Sequence, residues 1–180
     1  MEAGERWMIT LDELKQIMPH AGKRAEIFLE PLRLTMQEFG ISDTPEREAA
    51  FLAQIAHESG EMRYVHEIAS GAAYEGRKDL GNTELGDGVR FKGRGLIQVT
   101  GRANYQACGL ALGLPLLENP ELLEDPENAC RSAGWFWETR QLNELADKGD
   151  FIKITKRING GTNGLQDRLA YYERAKTALG

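Results

Sequence analysis

The sequence predicts a mainly α-helical fold with a small β element. Apolar residues recur at helical spacing in several separate stretches, and most of these stretches start with a residue that favours a helix N-terminus. Only residues 96–100 (LIQVT) have the short, apolar, β-branched character of a strand. The length of 180 residues, of which 41% are hydrophobic, suffices for one core, so we expect a single domain over residues 1–180.

The first 60 residues predict three helices. Residues 10–13 (TLDE) have the form of a capping box, which starts the first helix. A second helix is expected over residues 23–39, with a break or kink near Glu30, because Pro31 lacks the N–H that a helix interior needs. Residues 44–45 (TP) predict the cap and first residue of a third helix that ends at Gly60.

The rest of the chain begins with a long region of loops. Residues 61–91 lose helical periodicity and are rich in glycine, which is typical of segments that cover binding sites. Later helices are expected to start at residues 119–120 (NP) and 125–126 (DP), to continue through residues 129–137, and to finish with residues 150–158 and 165–179 around the turn 159–164 (NGGTNG).

The charge of the chain argues against nucleic acid as a partner. The net charge is -6, and the basic residues are scattered rather than clustered. Residues 1–7 (MEAGERW) lack the basic and apolar regions of a signal peptide, and no apolar run approaches the length of a membrane span. We therefore expect no nucleic-acid partner, no signal peptide and no stable membrane insertion.

Glu58 is the first candidate for catalysis. It falls in the last turn of the predicted third helix, where unpaired carbonyl groups carry partial negative charge, and it follows the apolar residues Ile55 and Ala56. Both surroundings disfavour the ionised form, so the pKa of Glu58 should be raised, as a general acid requires. A solvated glutamate at a helix end is the alternative interpretation.

Glu67 is the candidate partner of Glu58. It follows nine residues later in a glycine-bordered stretch, so a loop could place it across a cleft. Facing carboxylates suit glycoside hydrolysis, because one protonates the leaving oxygen while the other activates water; inversion needs about 6.5–9.5 Å between them and retention about 5–5.5 Å. Glu61 and Glu75 compete for the second role, and all of these could be solvated loop charges.

The histidines and cysteines do not predict a metal or thiol site. His57 and His66 each precede a glutamate, but the stretch after His57 lacks the second histidine of a zinc-protease helix. We therefore expect no metal and no cofactor, and interpret His57 as a packed or hydrogen-bonding residue beside the site. Cys108 lacks a histidine partner signature, and whether Cys108 and Cys130 are buried thiols or a disulfide stays open.

Residues 93–105 (GRGLIQVTGRANY) are the most distinctive segment. They resemble the GRG-x-IQ signature, with its downstream NY pair, of glycoside hydrolase family 19, the chitinase-like lysozyme family. Other segments resemble parts of that family in the same order: residues 51–59 (FLAQIAHES) its acid-bearing helix, residues 134–137 (GWFW) its aromatic core helix and residues 158–161 (INGG) its C-terminal turn. Together these matches span most of the chain.

The resemblance implies a role for each matching residue. Glu58 would be the general acid and Glu67 the general base, and the Thr100 hydroxyl would hold the attacking water, since it can donate and accept. Arg168 would pair with a catalytic carboxylate. The predicted substrate-binding residues are Gln98, Asn104, Asn159, His57, Tyr64 and Arg168.

Some of these residues have alternative interpretations. Thr100 could cap a helix that starts at Gly101. Tyr64, Tyr74 and Phe91 are candidates for stacking on sugars because they belong to the loop-rich region. The tryptophans of the GWFW segment are assigned to the core instead, since an apolar helix with tryptophans two residues apart buries at least one of them.

The resemblance also implies a lysozyme-like or chitinase-like helical fold with two lobes around a cleft and no separate wall-binding domain. The two cysteines and the short separation of Glu58 and Glu67 are closer to compact phage endolysins than to plant chitinases. Such a protein would act as a monomer on the peptidoglycan glycan strand, cleaving the β-1,4 bond between N-acetylmuramic acid and N-acetylglucosamine with inversion. It would stay in the host cytoplasm before lysis and depend on a holin to reach the periplasm and cell wall.

Other functions remain as alternatives. A chitinase that acts on N-acetylglucosamine polymers would use the same two carboxylates. A catalytically inactive glycan-binding module would keep only the cleft, and an amidase or peptidase would need a metal or thiol site. These alternatives differ in what each would release from its substrate.

Overall fold

A computed structural model describes residues 8–180, which fold into nine α-helices and four short 3-10 helices joined by loops. The α-helices are α1 (Leu11–Ile17), α2 (Lys23–Glu38), α3 (Pro45–Ser59), α4 (Asp87–Arg90), α5 (Arg102–Leu112), α6 (Pro126–Thr139), α7 (Leu142–Asp147), α8 (Phe151–Asn159) and α9 (Leu165–Leu179). The 3-10 helices are Ile41–Asp43, Ala72–Tyr74, Lys78–Leu80 and Pro120–Glu124. The predicted mainly α-helical fold class is confirmed.

The local sequence predicts the start of α1 correctly but not the course of α2. α1 begins with the predicted capping box: Thr10 Oγ1 accepts from the Glu13 N–H at 3.1 Å, and the Glu13 carboxylate accepts from the Thr10 N–H at 2.9 Å. α2 runs without interruption through Pro31, so the predicted break is wrong. The proline costs about 3 kcal/mol. Burial of Phe28 and Leu32 on the same helix, at about 1.5–3 kcal/mol each, offsets that cost.

α3 is the best buried of the long helices and carries Glu58. The Thr44 side chain caps its first turn and the helix ends at Gly60, as predicted, and Gly60 adopts the left-handed conformation. The helix packs extensively against α9 and also contacts α7. Phe51 meets the fully buried Trp137 of α6 edge to face, with ring centroids 5.2 Å apart. The end of α3 is therefore held by the core of the protein.

The predicted strand over residues 96–100 is wrong. Arg94 forms isolated antiparallel bridges with Val99 and with His66, and the residues between Arg94 and Val99 form a turn. The β element of the described residues is limited to these bridges.

Glycine and burial explain the failed strand prediction. Gly95 has a φ of +98°, and a Cβ added there would lie 2.5 Å from Ser132 Oγ on α6, so the chain turns where only glycine fits. Leu96 and Ile97 are fully buried in the core. Their apolar character therefore reflects burial in a turn and not an extended strand.

The apolar residues form a large and a small cluster. The large cluster is built on α1, α2, α3, α6 and α9. The small cluster lies around α5 and consists of Phe91, Val99, Tyr105, Cys108, Leu112, Leu116 and Leu123. Phe39 and Trp135 pack against both clusters, which joins the helical core to the region around α5.

The C-terminal helices agree closely with the sequence prediction. α8 and α9 begin and end within one residue of the predicted positions, and Gly160 and Gly164 between them have positive φ. α8 carries Asn159 at its end, and α9 carries Arg168 as its fourth residue. None of the helices in residues 8–180 is long and apolar enough to cross a membrane.

Candidate active site

An open cleft of about 590 Å³ lies between the helical core and the loop-rich region. Its lining mixes hydrogen-bonding and apolar side chains and consists of Glu58, Tyr74, Arg77, Leu80, Ile97, Gln98, Thr100, Phe136, Ile158 and Asn159. Of the predicted site residues, Glu58, Gln98, Thr100 and Asn159 meet in this cleft. A cleft of this size, lined by a carboxylate and neutral polar groups, suits a short stretch of sugar chain.

Glu58 reaches the cleft from the last turn of α3. Its side chain is 25% exposed, and its Oε1 forms an ion pair of 2.7 Å with Nη2 of Arg168 on α9. Arg168 is only 2% exposed. The two helices that pack most extensively against each other thus fix the position of the carboxylate.

A buried polar network holds Arg168 in turn. Its Nη1 donates to Gln54 Oε1 at 2.6 Å, and its Nε donates to the Asn163 carbonyl at 3.0 Å. Gln54 Nε2 donates to Thr155 Oγ1 at 3.0 Å. Each of the three guanidinium nitrogens therefore has a partner inside the protein, and these contacts fix the orientation of Arg168 toward Glu58.

Glu67 is held by Tyr74 of the loop-rich region and by Gly93 of the GRG segment. Its Oε1 accepts from the Gly93 N–H at 2.8 Å, and its own N–H donates to the Gly93 carbonyl at 2.9 Å. Its Oε2 accepts from the Tyr74 hydroxyl at 2.9 Å. Tyr74 lines the cleft, so Glu67 lies one hydrogen bond away from a cleft-lining hydroxyl.

The sequence did not indicate the role of Tyr74, since it suggested this residue only for stacking on sugars. Burial and the Glu67 carboxylate both raise the pKa of its hydroxyl, so the hydroxyl stays a donor. Asn82 Nδ2 donates to the Tyr74 carbonyl at 2.9 Å, and Asn82 Oδ1 accepts from the Arg102 N–H at 2.8 Å. The start of α5 thereby supports the segment that orients Glu67.

Arg102 fixes the loop at a second point. Its guanidinium binds the buried carboxylate of Asp87 through two hydrogen bonds of 2.8 and 2.9 Å, and this pair lowers the pKa of Asp87. It also contacts Glu84 at 2.7 Å. Spacing alone could not indicate this contact, because the two partners of the main pair are 15 residues apart.

The GRG segment explains the position of Gln98. A Cβ added to Gly93 would lie 2.6 Å from Gln98 Oε1, so the glycine lets the Gln98 amide pack closely over the backbone that also binds Glu67. Arg94, the central residue of GRG, is buried and pairs with Glu124 at 3.0 Å. Gly93 and Arg94 therefore support the cleft from behind, whereas Gln98 lines it.

Thr100 lies in the cleft and does not cap α5. The cap position of that helix is Gly101, which has no side-chain hydrogen bond, so the capping alternative is wrong. Asn104 Nδ2 donates to the Thr100 carbonyl at 2.8 Å. Asn104 is thus placed behind Thr100 as a support and is absent from the cleft lining.

Glu61 and Glu75, the other candidates for the second carboxylate, are engaged elsewhere. Glu61 is 5% exposed, and its oxygens accept from the His20 N–H at 2.8 Å and the Tyr171 hydroxyl at 2.9 Å. Glu75 accepts from two backbone N–H groups of the loop that contains α4, and these bonds lower the pKa of Glu75. Neither residue lines the cleft.

The remaining predicted residues lie outside the cleft lining. His57 Nδ1 is 2.7 Å from Asp167 Oδ2, and a Cβ on Gly164 would clash with its ring, so His57 joins α3 to the start of α9. The Arg63 guanidinium carbon lies over the Tyr64 ring, 5.5 Å from the ring centroid. Phe91 is fully buried, which rules out its predicted stacking on sugar.

No metal or thiol chemistry is supported in the part of the chain that the structure describes. Residues 8–180 contain no group of three or more His, Cys, Asp or Glu side chains placed to hold a metal ion. Cys108 and Cys130 are both free and buried, which resolves the alternative that the sequence left open. Burial raises the pKa of the Cys108 thiol to about 12, so it is protonated and unreactive.

A helical fold with one carboxylate at a polar cleft and a second one bonded to a cleft-lining tyrosine is an arrangement that suits a glycoside hydrolase. The family model described as chitinase class I matches residues 35–152. The chain is also 40% identical to an endochitinase of Arabidopsis thaliana over 73% of its own length. The chain belongs to glycoside hydrolase family 19, as the motifs indicated.

Similar proteins are known from bacteria and plants. A glycosyl hydrolase family 19 domain-containing protein of Haemophilus influenzae is 29% identical over 92% of this chain and 94% of that protein. The Arabidopsis endochitinase is matched over only 47% of its length, so the chain spans about half of such plant relatives.

The solved structures agree on the fold. A bacterial family 19 chitinase superposes with a TM-score of 0.81 at 26% identity, covering 96% of this chain and 95% of that chain. Chitinase C from Streptomyces griseus superposes with a TM-score of 0.80 over 99% of this chain and 95% of that one; at 22% identity this likeness concerns the fold alone.

Proposed function

We propose that the chain hydrolyses the β-1,4 bond between N-acetylmuramic acid and N-acetylglucosamine in peptidoglycan. The observation that carries the proposal is the pair of separately held carboxylates, Glu58 fixed by the buried Arg168 and Glu67 fixed by Tyr74 and Gly93. One carboxylate then serves as general acid and the other as general base.

Glu58 is proposed as the acid. Its Oε1 is occupied by Arg168, so Oε2 is the oxygen that carries and delivers the proton to the glycosidic oxygen. When the proton leaves, Glu58 becomes a carboxylate beside a guanidinium that already faces it. Arg168 therefore stabilises the charge that develops as the bond breaks, without any movement of the protein.

Glu67 is proposed as the base. Each of its oxygens accepts one hydrogen bond from the protein and retains a lone pair for a water molecule. The Thr100 hydroxyl lines the cleft and holds that water as it attacks the anomeric carbon. The water adds from the face opposite the leaving oxygen, so the configuration inverts.

Neutral hydrogen-bonding groups are proposed to hold the sugars. Gln98 and Asn159 both line the cleft and belong to different structural elements, the turn after GRG and the end of α8. Amide groups of this kind pair with hydroxyl and acetamido groups without needing charge. This fits a chain whose net charge of -6 would not attract an anionic polymer.

Chitin is the second candidate substrate. The observation that favours it is the set of similar proteins, several of which are described as endochitinases. The acid and base proposed here would cleave a chain of N-acetylglucosamine by the same steps. The two candidates therefore share a mechanism and differ in the groups that flank the scissile bond.

Parallel digestion of purified peptidoglycan and colloidal chitin tests the proposal, with mass spectrometry of the soluble products. New reducing N-acetylmuramic acid ends are expected from peptidoglycan, at a rate higher than the release from chitin. Faster release from chitin would assign the chain as a chitinase. Freed stem peptides would indicate an amidase, and sedimentation with undigested walls would indicate a binding module.

We further propose that the monomer serves as a phage endolysin that waits in the host cytoplasm and reaches the wall through a holin. Expression in the bacterial cytoplasm should then leave cells intact until a holin is induced. Lysis should follow holin induction for the wild type and not for Glu58→Gln. Lysis without a holin would contradict this role.

A further inference from the structure

Arg140 has an unusual environment at the end of α6. Its guanidinium carbon lies over the Phe136 ring, 3.5 Å from the ring centroid, so the two side chains are in close contact. The guanidinium has one long hydrogen bond, from Nη1 to Thr139 Oγ1 at 3.4 Å. No ion pair within residues 8–180 includes it.

Other arginines of the protein contrast with Arg140. Arg47, Arg102 and Arg131 each bind a carboxylate, and the pKa of each is raised by that partner. The pKa of Arg140 is lowered by burial instead. Most of its five N–H donors thus have no protein partner although the group is partly withdrawn from water.

The neighbours of Arg140 belong to the cleft. Phe136, which it covers, lines the cleft together with Glu58. Arg157 Nη1 donates to the Arg140 carbonyl at 2.9 Å, and the next two residues, Ile158 and Asn159, also line the cleft. Arg140 is not itself part of the cleft lining, but it contacts one lining residue and is bonded to the residue that precedes two others, so it lies next to the cleft.

We infer that Arg140 binds a carboxylate of the glycan strand and so distinguishes peptidoglycan from chitin. The inference rests on the proposed action on peptidoglycan. A guanidinium with free, coplanar N–H groups matches the two oxygens of a carboxylate. N-acetylglucosamine polymers carry no carboxylate, whereas the wall polymer carries several, so this contact is available to only one of the two candidate substrates.

The carboxylate has two possible sources in the wall. In intact peptidoglycan the lactyl group of N-acetylmuramic acid is amide-linked, so free carboxylates belong to the stem peptides. In strands stripped of their peptides by an amidase, the lactyl carboxylate itself is free. Both present the same group to Arg140, and substrates of each kind separate them.

Binding by an inactive chain tests the inference independently of cleavage. The parent is Glu58→Gln, and Arg140→Gln is added to it. The control is the same parent with Arg174→Gln, because the exposed Arg174 also lies over an aromatic ring, that of Tyr171, at 5.2 Å, but this ring does not line the cleft. Titration calorimetry measures Kd for soluble peptide-bearing strands, amidase-stripped strands and N-acetylglucosamine oligomers.

We expect Arg140→Gln to weaken binding of at least one carboxylate-bearing strand about tenfold, since a hydrogen-bonded charge is lost, and to leave neutral oligomers and the melting temperature unchanged. A loss confined to peptide-bearing strands assigns the stem peptide, and one confined to stripped strands assigns the lactyl group. Equal losses on all ligands, no loss, or no binding of either strand by the parent would each overturn the inference. Wild-type turnover on the same strands is measured separately, and its absence alone would refute the proposed function.

Discussion

Glu58 and Glu67 lie in two regions that are stabilised by different kinds of contact. Glu58 stands at the end of a buried helix, and Arg168 links it to Gln54 through side chains that are almost fully buried. Glu67 stands in a region of loops and short helices, where a backbone N–H of Gly93 and the Tyr74 hydroxyl hold it. One side depends on the helical core and the other on local polar contacts.

This difference matches what the general acid and the general base each require. A proton donor beside a preformed positive charge gains from rigidity, because the guanidinium must not reorient during the reaction. A base that must admit water and sugar can lie in a segment with fewer apolar contacts, which opens at lower free energy than the core. Substitutions on the two sides should therefore affect activity and stability in different proportions.

Glu58→Gln should have the largest effect on activity. The amide is nearly isosteric and still accepts a hydrogen bond from Arg168, but it cannot donate a carboxylic proton, so the cleavage rate should fall about 10³-fold. Release of reducing ends and thermal melting measure the two consequences. Substantial cleavage by the folded variant would remove Glu58 from the role of acid.

Glu67→Gln should be the next most severe, with a loss of about 10²-fold or more and a melting temperature close to that of the wild type. Glu75→Gln is the matched control, since Glu75 belongs to the same region and binds only backbone N–H groups. It should keep nearly full activity. If Glu67→Gln were as active as the wild type, the base would lie elsewhere.

Two tyrosines that donate to glutamates provide a direct comparison of the regions. Tyr171→Phe leaves Oε2 of the buried Glu61 without its donor and should lower the free energy of unfolding by about 1–3 kcal/mol, with little change in specific activity at low temperature. Tyr74→Phe removes one bond to the base and should lower activity about tenfold with little change in stability. Chemical denaturation and initial rates measure both variants. The reverse pattern would invalidate the distinction between core and loop.

Thr100→Ala should have the smallest effect, about tenfold or less, because the hydroxyl orients water without taking a full proton. Stability should be unchanged, since that hydroxyl caps no helix. Thr177→Ala, at an exposed position of α9, controls for loss of a surface hydroxyl. Identical rates for both variants would exclude Thr100 from the reaction.

Much of the fold could be predicted because its signals are local. The caps at Thr10 and Thr44 and the stop at Gly60 act within one helical turn, and the structure contains each of them. The wrong predictions depend on distant contacts. Burial against other helices carries α2 past Pro31, and the close approach of Gly95 to α6 turns a segment that reads as a strand.

The residues of the candidate site also divide into those that local sequence predicts and those that distant contacts decide. The position of Glu58 at the end of α3 follows from its local sequence, whereas Glu61 and Glu67 both read as loop glutamates. Only the distant partners of Glu61, the His20 N–H and Tyr171, separate its structural role from the cleft. Sequence could not predict these contacts, because they join residues 41 and 110 positions apart.

The anomeric configuration of the new reducing end tests the central claim most directly. Proton NMR of wild-type digestion, recorded before mutarotation, follows the sugar released from the β-linked strand. Attack by water activated by Glu67, opposite a leaving group protonated by Glu58, predicts the α-anomer as the first product. Initial formation of the β-anomer would contradict this account, because it requires a covalent or substrate-assisted intermediate.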